Sequence, residues 1–144
     1  MEINVKQAVV NDYKEITEIC IHDLGYNCSA ELVKARLENL DNEREKVFVA
    51  CADGKIAGFI HAEKYDALYF ETVVNLLGLA VAQEYRKNGI GRMLLNECEN
   101  WAKSIGAKYI RANSGSARSD AHIFYRNAGY NNEKMQIRFL KELP

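Results

Sequence analysis

The chain has little proline, no long apolar run and almost no net charge. Its only proline is Pro144, and we find no repeat, low-complexity tract or linker. The 144 residues are therefore expected to form a single domain, residues 1–144, of alternating helices and strands. The formal net charge of −1 gives no reason to expect nucleic acid or a membrane surface as a partner.

Apolar runs of membrane-spanning length are also absent. The longest, residues 73–82, is interrupted by Asn75 and falls well short of the roughly 20 residues that cross a bilayer. The first five residues lack the basic and apolar regions of a signal peptide. A cytoplasmic protein is the expectation.

The four cysteines, Cys20, Cys28, Cys51 and Cys98, form no CxxC pair and no zinc-like spacing. We therefore expect no metal site and no disulfide framework. Cys51 and Cys98 sit on apolar patterns typical of small core residues. A catalytic thiol is the less favoured alternative, because none of the three histidines has a thiol-linked signature.

Hydrophobic periodicity and turn residues predict ten elements in the order βααβββαβαβ. They are a strand at residues 3–7, helices capped by Asn11 and Ser29, strands at 46–51, 56–62 and 73–82, a helix at 89–104, a strand at 108–112, a helix at 119–127 and a strand at about 135–140. Asp53-Gly54 is a hairpin signal. Hairpins together with helical crossovers indicate a mixed α/β fold with helices on both faces of the sheet.

Residues 79–95 join a buried strand to an amphipathic helix through two glycines. Gly89 and Gly91 let a ligand approach the backbone, and the first N–H groups of the helix have no internal partner. Positive charge surrounds them, from Arg86, Lys87 and Arg92. Together with the helix dipole, this pattern predicts an anion site suited to a phosphorylated cofactor.

Two nucleotide-binding motifs do not match this segment. A Walker P-loop requires GxxxxGK[ST], which is absent. A dinucleotide fingerprint requires GxGxxG in an early βαβ unit, whereas Leu94 occupies the third glycine position and the unit lies late in the chain.

The segment instead resembles the GCN5-related N-acetyltransferase (GNAT) family. Arg86-x-x-Gly89-x-Gly91 is similar to the family signature (Gln/Arg)-x-x-Gly-x-(Gly/Ala), and the helix carrying Tyr125 follows in the family's order. The resemblance is strong over about residues 73–130. It implies one α/β domain whose mixed, mostly antiparallel sheet splays at its central strands. It also implies transfer of an acetyl group from acetyl-CoA to a primary amine of a small molecule or peptide.

The resemblance further implies roles for particular residues. Backbone N–H groups at residues 87–92 would cradle the pyrophosphate of coenzyme A, and a bulge at Leu77-Gly78 would open the edge of residues 79–81 to the pantetheine arm. The Val81 N–H would face the thioester carbonyl, and Tyr125 would protonate the departing sulfur; these two are the implied catalytic groups. The implied cofactor-binding set is Leu79, Ala80, Val81, Arg86, Lys87, Asn88, Gly89, Ile90, Gly91, Arg92, Arg118 and Tyr125.

The chain departs from the family pattern at two positions. Arg118 stands where many members have an asparagine that contacts pantetheine, so either that contact is lost or Arg118 meets a phosphate. Asn75 stands where some members have a glutamate base, and an amide cannot take a proton. The alternative bases are Glu71, Asp66 and His61.

Several alternatives stay open. The missing glutamate motivates a second function, a coenzyme A-binding sensor or interaction module without turnover. His122 either caps and packs or takes part in the site. Residues 65–71 are predicted as a loop, and a solvated hairpin is slightly favoured there over an acceptor pocket. A homodimer is possible, with residues 135–140 offering an edge.

Overall fold

The computed structural model describes all 144 residues, with five strands and four helices. They are β1 (Ile3–Gln7), α1 (Tyr13–Asp23), α2 (Ala30–Glu38), β2 (Glu45–Ala52), β3 (Lys55–Ala67), β4 (Phe70–Val81), α3 (Ile90–Ser104), β5 (Tyr109–Ala112) and α4 (Ser119–Asn127). The chain forms two compact units, Met1–Ala112 and Asn113–Pro144. The first unit contains the whole sheet and α1 to α3.

The sheet has the order β1-β2-β3-β4-β5, antiparallel except for the parallel pair β4 and β5. Asp53 and Gly54 join β2 to β3 with φ angles of 51° and 80°. Two consecutive left-handed residues are typical of a tight hairpin turn, which confirms the predicted turn. The mixed, mostly antiparallel sheet predicted by the family resemblance is confirmed as well.

The β3–β4 hairpin is longer than the sequence predicts. Its strands continue to Ala67 and restart at Phe70, so the loop expected at residues 65–71 is wrong apart from its tip. The Tyr65 and Phe70 rings lie 5.6 Å apart, and the Thr72 hydroxyl donates to Asp66 over 2.6 Å. These cross-strand contacts extend the pairing, and the result is an exposed hairpin rather than a pocket.

Helices pack on both faces of the sheet, as predicted. Side chains alternate across it, because successive residues of a strand point to opposite faces. One face buries Val47, Val49, Phe59 and Ala80 with Ile16 and Ile19 of α1. The other face carries the alternate residues Phe48, Ala50 and Ile60 with Leu94 of α3.

One of the two predicted helix caps is confirmed, that of Ser29. The Leu32 N–H donates to Ser29 Oγ over 3.1 Å, as expected of an N-cap serine. Gly89 and Gly106 bracket α3 with φ angles of 77° and 76°. Asn11 does not cap α1, because a single 3₁₀ turn at Val10–Asp12 intervenes and the helix begins at Tyr13.

The last predicted strand, residues 135–140, is wrong for this single chain. Residues 130–144 contain no helix or strand, and β5 remains the final strand of the sheet. The apolar alternation that suggested a strand is present, but a strand also needs a neighbour to take its backbone hydrogen bonds. The alternation alone does not supply that neighbour.

No helix is both long enough and apolar enough to cross a membrane. A cytoplasmic location stays a prediction. No group of three or more His, Cys, Asp or Glu side chains is arranged to hold a metal ion.

Gly58 supports a close approach between β3, the end of β4 and α3. A Cβ added there would lie 2.7 Å from the Ala80 carbonyl oxygen and 3.3 Å from Leu94 Cδ1. Because the first of these atoms is backbone, β4 would have to shift. We expect Gly58→Ala to lower the free energy of unfolding by about 2 kcal/mol, measured by urea denaturation.

Gly78→Ala is the matched control on the neighbouring strand. Its added Cβ would lie 3.5 Å from the Phe59 ring, an ordinary contact, so we expect a loss of less than about 1 kcal/mol. Equal stability of the two variants would contradict the close packing at Gly58.

Candidate active site

The edge of β4 opens half-way along the strand. β5 pairs with β4 only at residues 73–76, so residues 77–81 have no neighbouring strand on that side. Across β3 the register runs from His61 and Gly78 to Ala62 and Leu76, which leaves Leu77 as an extra residue. This is the predicted bulge, and the pairing of β4 with β5 stops one residue before it, because β5 ends at Ala112 opposite Leu76.

Two residues of this open edge point their backbone groups away from β3. In an antiparallel pair, backbone groups point alternately toward and away from the partner strand. The Ala82 N–H donates to the Ala57 carbonyl over 2.8 Å, so Ala80 also faces β3 while Leu79 and Val81 face the open edge. Leu79 and Val81 therefore face the side that is predicted to receive the pantetheine arm. Ala80 directs neither its backbone groups nor its buried side chain to this edge.

Arg86 fixes the turn that follows β4. Its Nε donates to the Val81 carbonyl over 3.1 Å, and a terminal nitrogen lies 3.1 Å from the Asp23 carboxylate. The same carboxylate oxygen accepts the Gln83 N–H, and the Asp23 side chain is only 9% exposed. The Arg86 guanidinium thus joins β4 to α1. It occupies the Val81 carbonyl, while the Val81 N–H faces outward.

The turn before α3 exposes a run of N–H groups. Lys87 and Gly89 have left-handed φ angles of 66° and 77°, which curl the chain around Asn88. The Asn88 amide donates to the carbonyls of Tyr85 and Arg86 and so holds both of them. The first main-chain bond of the helix comes from Met93 to Gly89, so the N–H groups of residues 87–92 have no main-chain acceptor among the turns and caps. Such a concavity at a helix N-terminus suits an anion.

Two residues that are predicted to bind the cofactor, Ile90 and Arg92, have side chains that contact the protein itself. Ile90 is 1% exposed and anchors the first turn of α3 in the core. Arg92 Nε donates to Asn96 Oδ1 over 3.3 Å, one turn further along the same helix. Any contact of Ile90 with an anion is therefore through its backbone N–H. The added Cβ position at Gly89 meets no atom within 4 Å, so space surrounds this part of the backbone.

A polar cluster interrupts the α1 side of the sheet beside the bulge. His61 Nε2 lies 2.7 Å from Glu45 Oε1, and both side chains are partly buried, at 28% and 29% exposure. Arg111 donates to the Asn75 side-chain oxygen over 3.2 Å, and its guanidinium carbon lies 4.6 Å from the centre of the Tyr65 ring. Asn75 is therefore paired with a cation and cannot serve as a base.

A cavity of about 160 Å³ adjoins this cluster. It is lined by Asp41, Arg44, Glu45, Glu63 and Leu77. Three of the five are carboxylates, and Leu77 is the bulged residue of β4. The other two predicted bases lie near the hairpin tip, where Asp66 accepts from Thr72 and Glu71 lies 3.8 Å from Lys108.

The second unit holds α4 and the predicted residues of the tyrosine motif. The Tyr125 ring packs against Phe124 and Tyr130 at centroid distances of 5.3 and 5.7 Å. Arg118 is the N-cap residue of α4, and its N–H donates to the Gly115 carbonyl over 3.0 Å. His122 Nε2 donates to the same carbonyl over 2.9 Å, which favours a capping role for His122.

Two of the four cysteines, Cys20 and Cys98, are not thiolates at neutral pH. Burial raises the pKa of the Cys98 thiol to about 12, with a further increase from the nearby Glu99. Burial also raises the pKa of Cys20 to about 11, and the neighbouring Cys28 adds to it. Both groups are neutral thiols at neutral pH, and all four cysteines are free.

The sequence pattern of this site matches a known family over most of the chain. A sequence model described as the Acetyltransferase (GNAT) family covers residues 9–130. The chain belongs to this family. Membership confirms the predicted family, its fold class and its enzyme class, an N-acetyltransferase.

This GNAT protein is similar to one curated protein and to many solved structures. The uncharacterized N-acetyltransferase YhdJ of Bacillus subtilis (strain 168) is 42% identical over 40 residues, which cover 28% of this chain and 28% of that protein. The structure of AAC(6')-Iy in complex with the bisubstrate analogue CoA-S-monomethyl-acetylneamine superposes with a TM-score of 0.87, 18% identity, and coverage of 99% and 100% of the two chains. Glucosamine-6-phosphate N-acetyltransferase from Arabidopsis thaliana gives a TM-score of 0.79, 16% identity, and coverage of 99% and 100%. At these identities the solved structures show the fold.

Sequence reasoning missed two partners of the GNAT site. Asp23 holds the turn through Arg86 and Gln83, and Glu45 holds the His61 ring. Asp23 lies 63 positions before Arg86, and Glu45 lies 16 before His61. No local spacing rule relates such distant residues, although a carboxylate beside an alternating apolar strand is a usable signal for Glu45.

Proposed function

We propose that this GNAT protein transfers the acetyl group of acetyl-CoA to a primary amine of a small molecule or peptide by direct attack. The observation that supports it best is the open edge of β4, which leads into the N–H concavity before α3. We treat residues 1–144 as a single N-acetyltransferase domain, because the family match runs through both compact units.

Backbone groups are proposed to bind acetyl-CoA, the acetyl donor. Leu79 and Val81 would pair with the amides of the pantetheine arm as an added strand does. The N–H groups at residues 87–92 would bind the pyrophosphate, with Lys87 and Arg92 adding positive charge. Coenzyme A, when bound, supplies an acetyl group activated as a thioester. Arg118, at the start of α4, is kept as a candidate phosphate contact.

Val81 and Tyr125 are the proposed groups that act on the thioester. The Val81 N–H would donate to the carbonyl oxygen as negative charge develops there. Its geometry is prepared in advance, since Arg86 holds the carbonyl of the same residue. Tyr125 would give a proton to the departing sulfur, because a phenol of ordinary pKa about 10 can protonate a thiolate of ordinary pKa about 8.5. Placing amine and thioester together should supply much of the rate.

We propose His61 as the proton acceptor for the incoming amine. It lies opposite Gly78, at the bulge, and three residues of strand, or about 10 Å, separate Gly78 from Val81. That distance requires a chain of water molecules between the ring and the amine. Glu45 holds Nε2 of the ring and so orients it. Asp66 and Glu71 lie farther along the hairpin and are less favoured.

The acceptor is proposed to be a small cationic amine that enters beside the bulge. The cavity there is rich in carboxylates, which attract a protonated amine. The names of the similar solved structures point the same way, since one is crystallised with a neamine-derived analogue and another is named for glucosamine-6-phosphate. A homodimer also belongs to the proposal.

Release of free thiol from acetyl-CoA tests the function. The protein is mixed with a panel of amino sugars, polyamines, amino acids and lysine peptides, and thiol is followed spectrophotometrically. We expect amine-dependent release with at least one amine. Thermal stabilisation by acetyl-CoA without release from any amine would favour the coenzyme A-binding sensor, and no stabilisation at millimolar ligand would contradict both functions.

His61→Gln is expected to lower kcat/KM for the amine by about 100-fold at pH 7, because it removes the proton acceptor. The deficit should shrink as pH rises toward 10, where the ordinary primary amine deprotonates in solution. The measurement is the pH profile of kcat/KM for both proteins. A merely structural role for His61 would lower the profile equally at every pH.

The matched control is His22→Gln, the same exchange at an exposed histidine on the last turn of α1. It should leave the profile unchanged. Acetyl-CoA affinity should be the same in all three proteins, since neither histidine lies on the open edge of β4. A pH-independent deficit in His61→Gln would remove His61 as the base.

A further inference from the structure

One row of polar side chains crosses the α1 side of the sheet at the place where β5 ends. Strand pairing sets Glu45 opposite Glu63 and Glu63 opposite Asn75. Asn75 in turn lies opposite Arg111, the residue before the last of β5. His61 lies two residues before Glu63 and therefore on the same face, because side chains alternate along a strand. The row thus shares its face with the proposed proton acceptor and adjoins the beginning of the open edge of β4.

Arg111 is held in place without being neutralised. Its Nε donates to the Asn75 side-chain oxygen over 3.2 Å, and its guanidinium carbon lies 4.6 Å from the centre of the Tyr65 ring. Neither partner carries a negative charge, and no ion pair joins Arg111 to a carboxylate. The residue is partly buried, so its charge has lost part of its hydration. A guanidinium has five N–H donors, and the bond to Asn75 uses only the one on Nε.

The amide at position 75 keeps this cation available to a ligand. A glutamate there would form an ion pair with Arg111 and neutralise it. The asparagine orients the guanidinium through the same kind of oxygen and adds no charge. Asn75 therefore has a second consequence besides the loss of a base, because it leaves a positioned cation unpaired beside the open edge.

We propose that Arg111 binds an anionic group, a carboxylate or a phosphate, on the same acceptor whose amine receives the acetyl group. The inference rests on the proposed acetyl transfer and narrows its acceptor to an amine that also carries an oxyanion. The planar fork of a guanidinium matches two oxygens of either anion. Glu63, on the other side of Asn75, repels negative charge, so the anion is confined to the Arg111 end of the row.

The strand register sets the distance between the two ends of the acceptor. Asn75 lies six residues before Val81, the proposed donor to the thioester carbonyl, which is about 20 Å along a regular strand. The extra residue at Leu77 shortens this path. We therefore expect the amine and the anion to lie roughly 10–20 Å apart, a span that an extended peptide covers with about three to six residues.

Matched peptide acceptors test the proposal. Glycine peptides of about three to six residues are compared as free acids and as carboxamides, so that one negative charge is the only difference. A second pair of the same lengths ends in phosphoserine amide or serine amide, which separates phosphate from carboxylate. We expect the wild type to have a kcat/KM at least about ten-fold higher for an anionic peptide than for its neutral partner, through a lower KM. Equal values within both pairs would overturn the proposal.

Arg111→Gln removes the charge and keeps a polar side chain beside Asn75. It should reduce the preference to within about two-fold and leave kcat/KM for the neutral peptides within about three-fold. Asn75→Glu keeps Arg111 but neutralises it, and should abolish the preference in the same way. The matched control is Lys108→Gln, which removes a cation from the exposed residue just before β5 and should keep the full preference. A preference that persists in Arg111→Gln, or that Lys108→Gln loses equally, would contradict the assignment.

Binding without turnover separates this inference from the proposed function. The same peptide pairs are titrated calorimetrically into the protein saturated with coenzyme A. Tighter binding of the anionic peptides that is lost in Arg111→Gln supports the inference even where no thiol is released, an outcome that contradicts acetyl transfer alone. Thiol release with no preference for the anion contradicts the role of Arg111 alone. The absence of both binding and release with every peptide would overturn the inference.

Discussion

Tyr125→Phe is expected to lower kcat by about 100-fold and to leave the Kd for acetyl-CoA within about two-fold. The substitution removes one hydroxyl and keeps the ring that packs against Phe124 and Tyr130. Without the hydroxyl, the sulfur departs as an unprotonated thiolate. Because that thiolate has an ordinary pKa near 8.5, the deficit should be largest below this pH and diminish above it. Steady-state thiol release between pH 6 and pH 9.5 measures both effects.

Tyr130→Phe is the matched control. It deletes the same atom from the ring that lies 5.7 Å from Tyr125, in the same compact unit. A general loss of order in this unit would lower kcat in both variants by similar factors. Only the loss of a specific proton donor gives a pH-dependent deficit confined to Tyr125→Phe. An unchanged kcat in Tyr125→Phe would remove Tyr125 from the catalytic groups.

Gly89→Ala is expected to weaken acetyl-CoA binding by about ten-fold or more. Gly89 has a φ angle of 77°, where an L-residue costs roughly 1–2 kcal/mol. No atom lies within 4 Å of the added Cβ, so the effect comes from backbone strain and not from collision. Relief of that strain would rotate the N–H groups that are proposed to bind the pyrophosphate. Isothermal titration with acetyl-CoA measures the change.

Gly106→Ala provides an equal strain at the other end of α3. Its φ angle is 76°, and again no atom lies within 4 Å of the added Cβ. Both variants should therefore lose a similar free energy of unfolding, about 1 kcal/mol in urea denaturation. Only Gly89→Ala should lose affinity. Equal acetyl-CoA affinity in both variants would argue against pyrophosphate binding at the turn before α3.

The signals that predict the donor side of this GNAT protein are local. The strand, turn and helix of residues 79–95 are contiguous, and glycine spacing, apolar periodicity and charge all fall within one window. The hairpin at Asp53-Gly54 and the cap at Ser29 are local in the same sense. In each case the backbone conformation is decided by neighbours within about four residues.

Side-chain roles were less predictable, because they depend on partners that are distant in sequence. Arg86 was expected beside a phosphate, and its guanidinium instead joins Val81 and Asp23. Ala80 was expected on the open edge, and strand alternation turns it toward β3. The three candidate bases could not be ranked from the sequence, whereas the register of β3 and β4 places only His61 opposite the bulge region.

The sequence by itself thus determined the family and the order of the first nine elements, and it predicts where the donor site lies. Tertiary structure decided which backbone groups face outward, which cation is already paired and which histidine adjoins the bulge. The physical reason is that these interactions act over different separations along the chain. Glycine conformation, helix capping and apolar periodicity act over a few residues, while strand register and ion pairing join positions 16 to 63 residues apart, as His61 with Glu45 and Arg86 with Asp23 illustrate. Residues 135–140 show the limit of such local signals, because they have the alternation of a strand and yet form none.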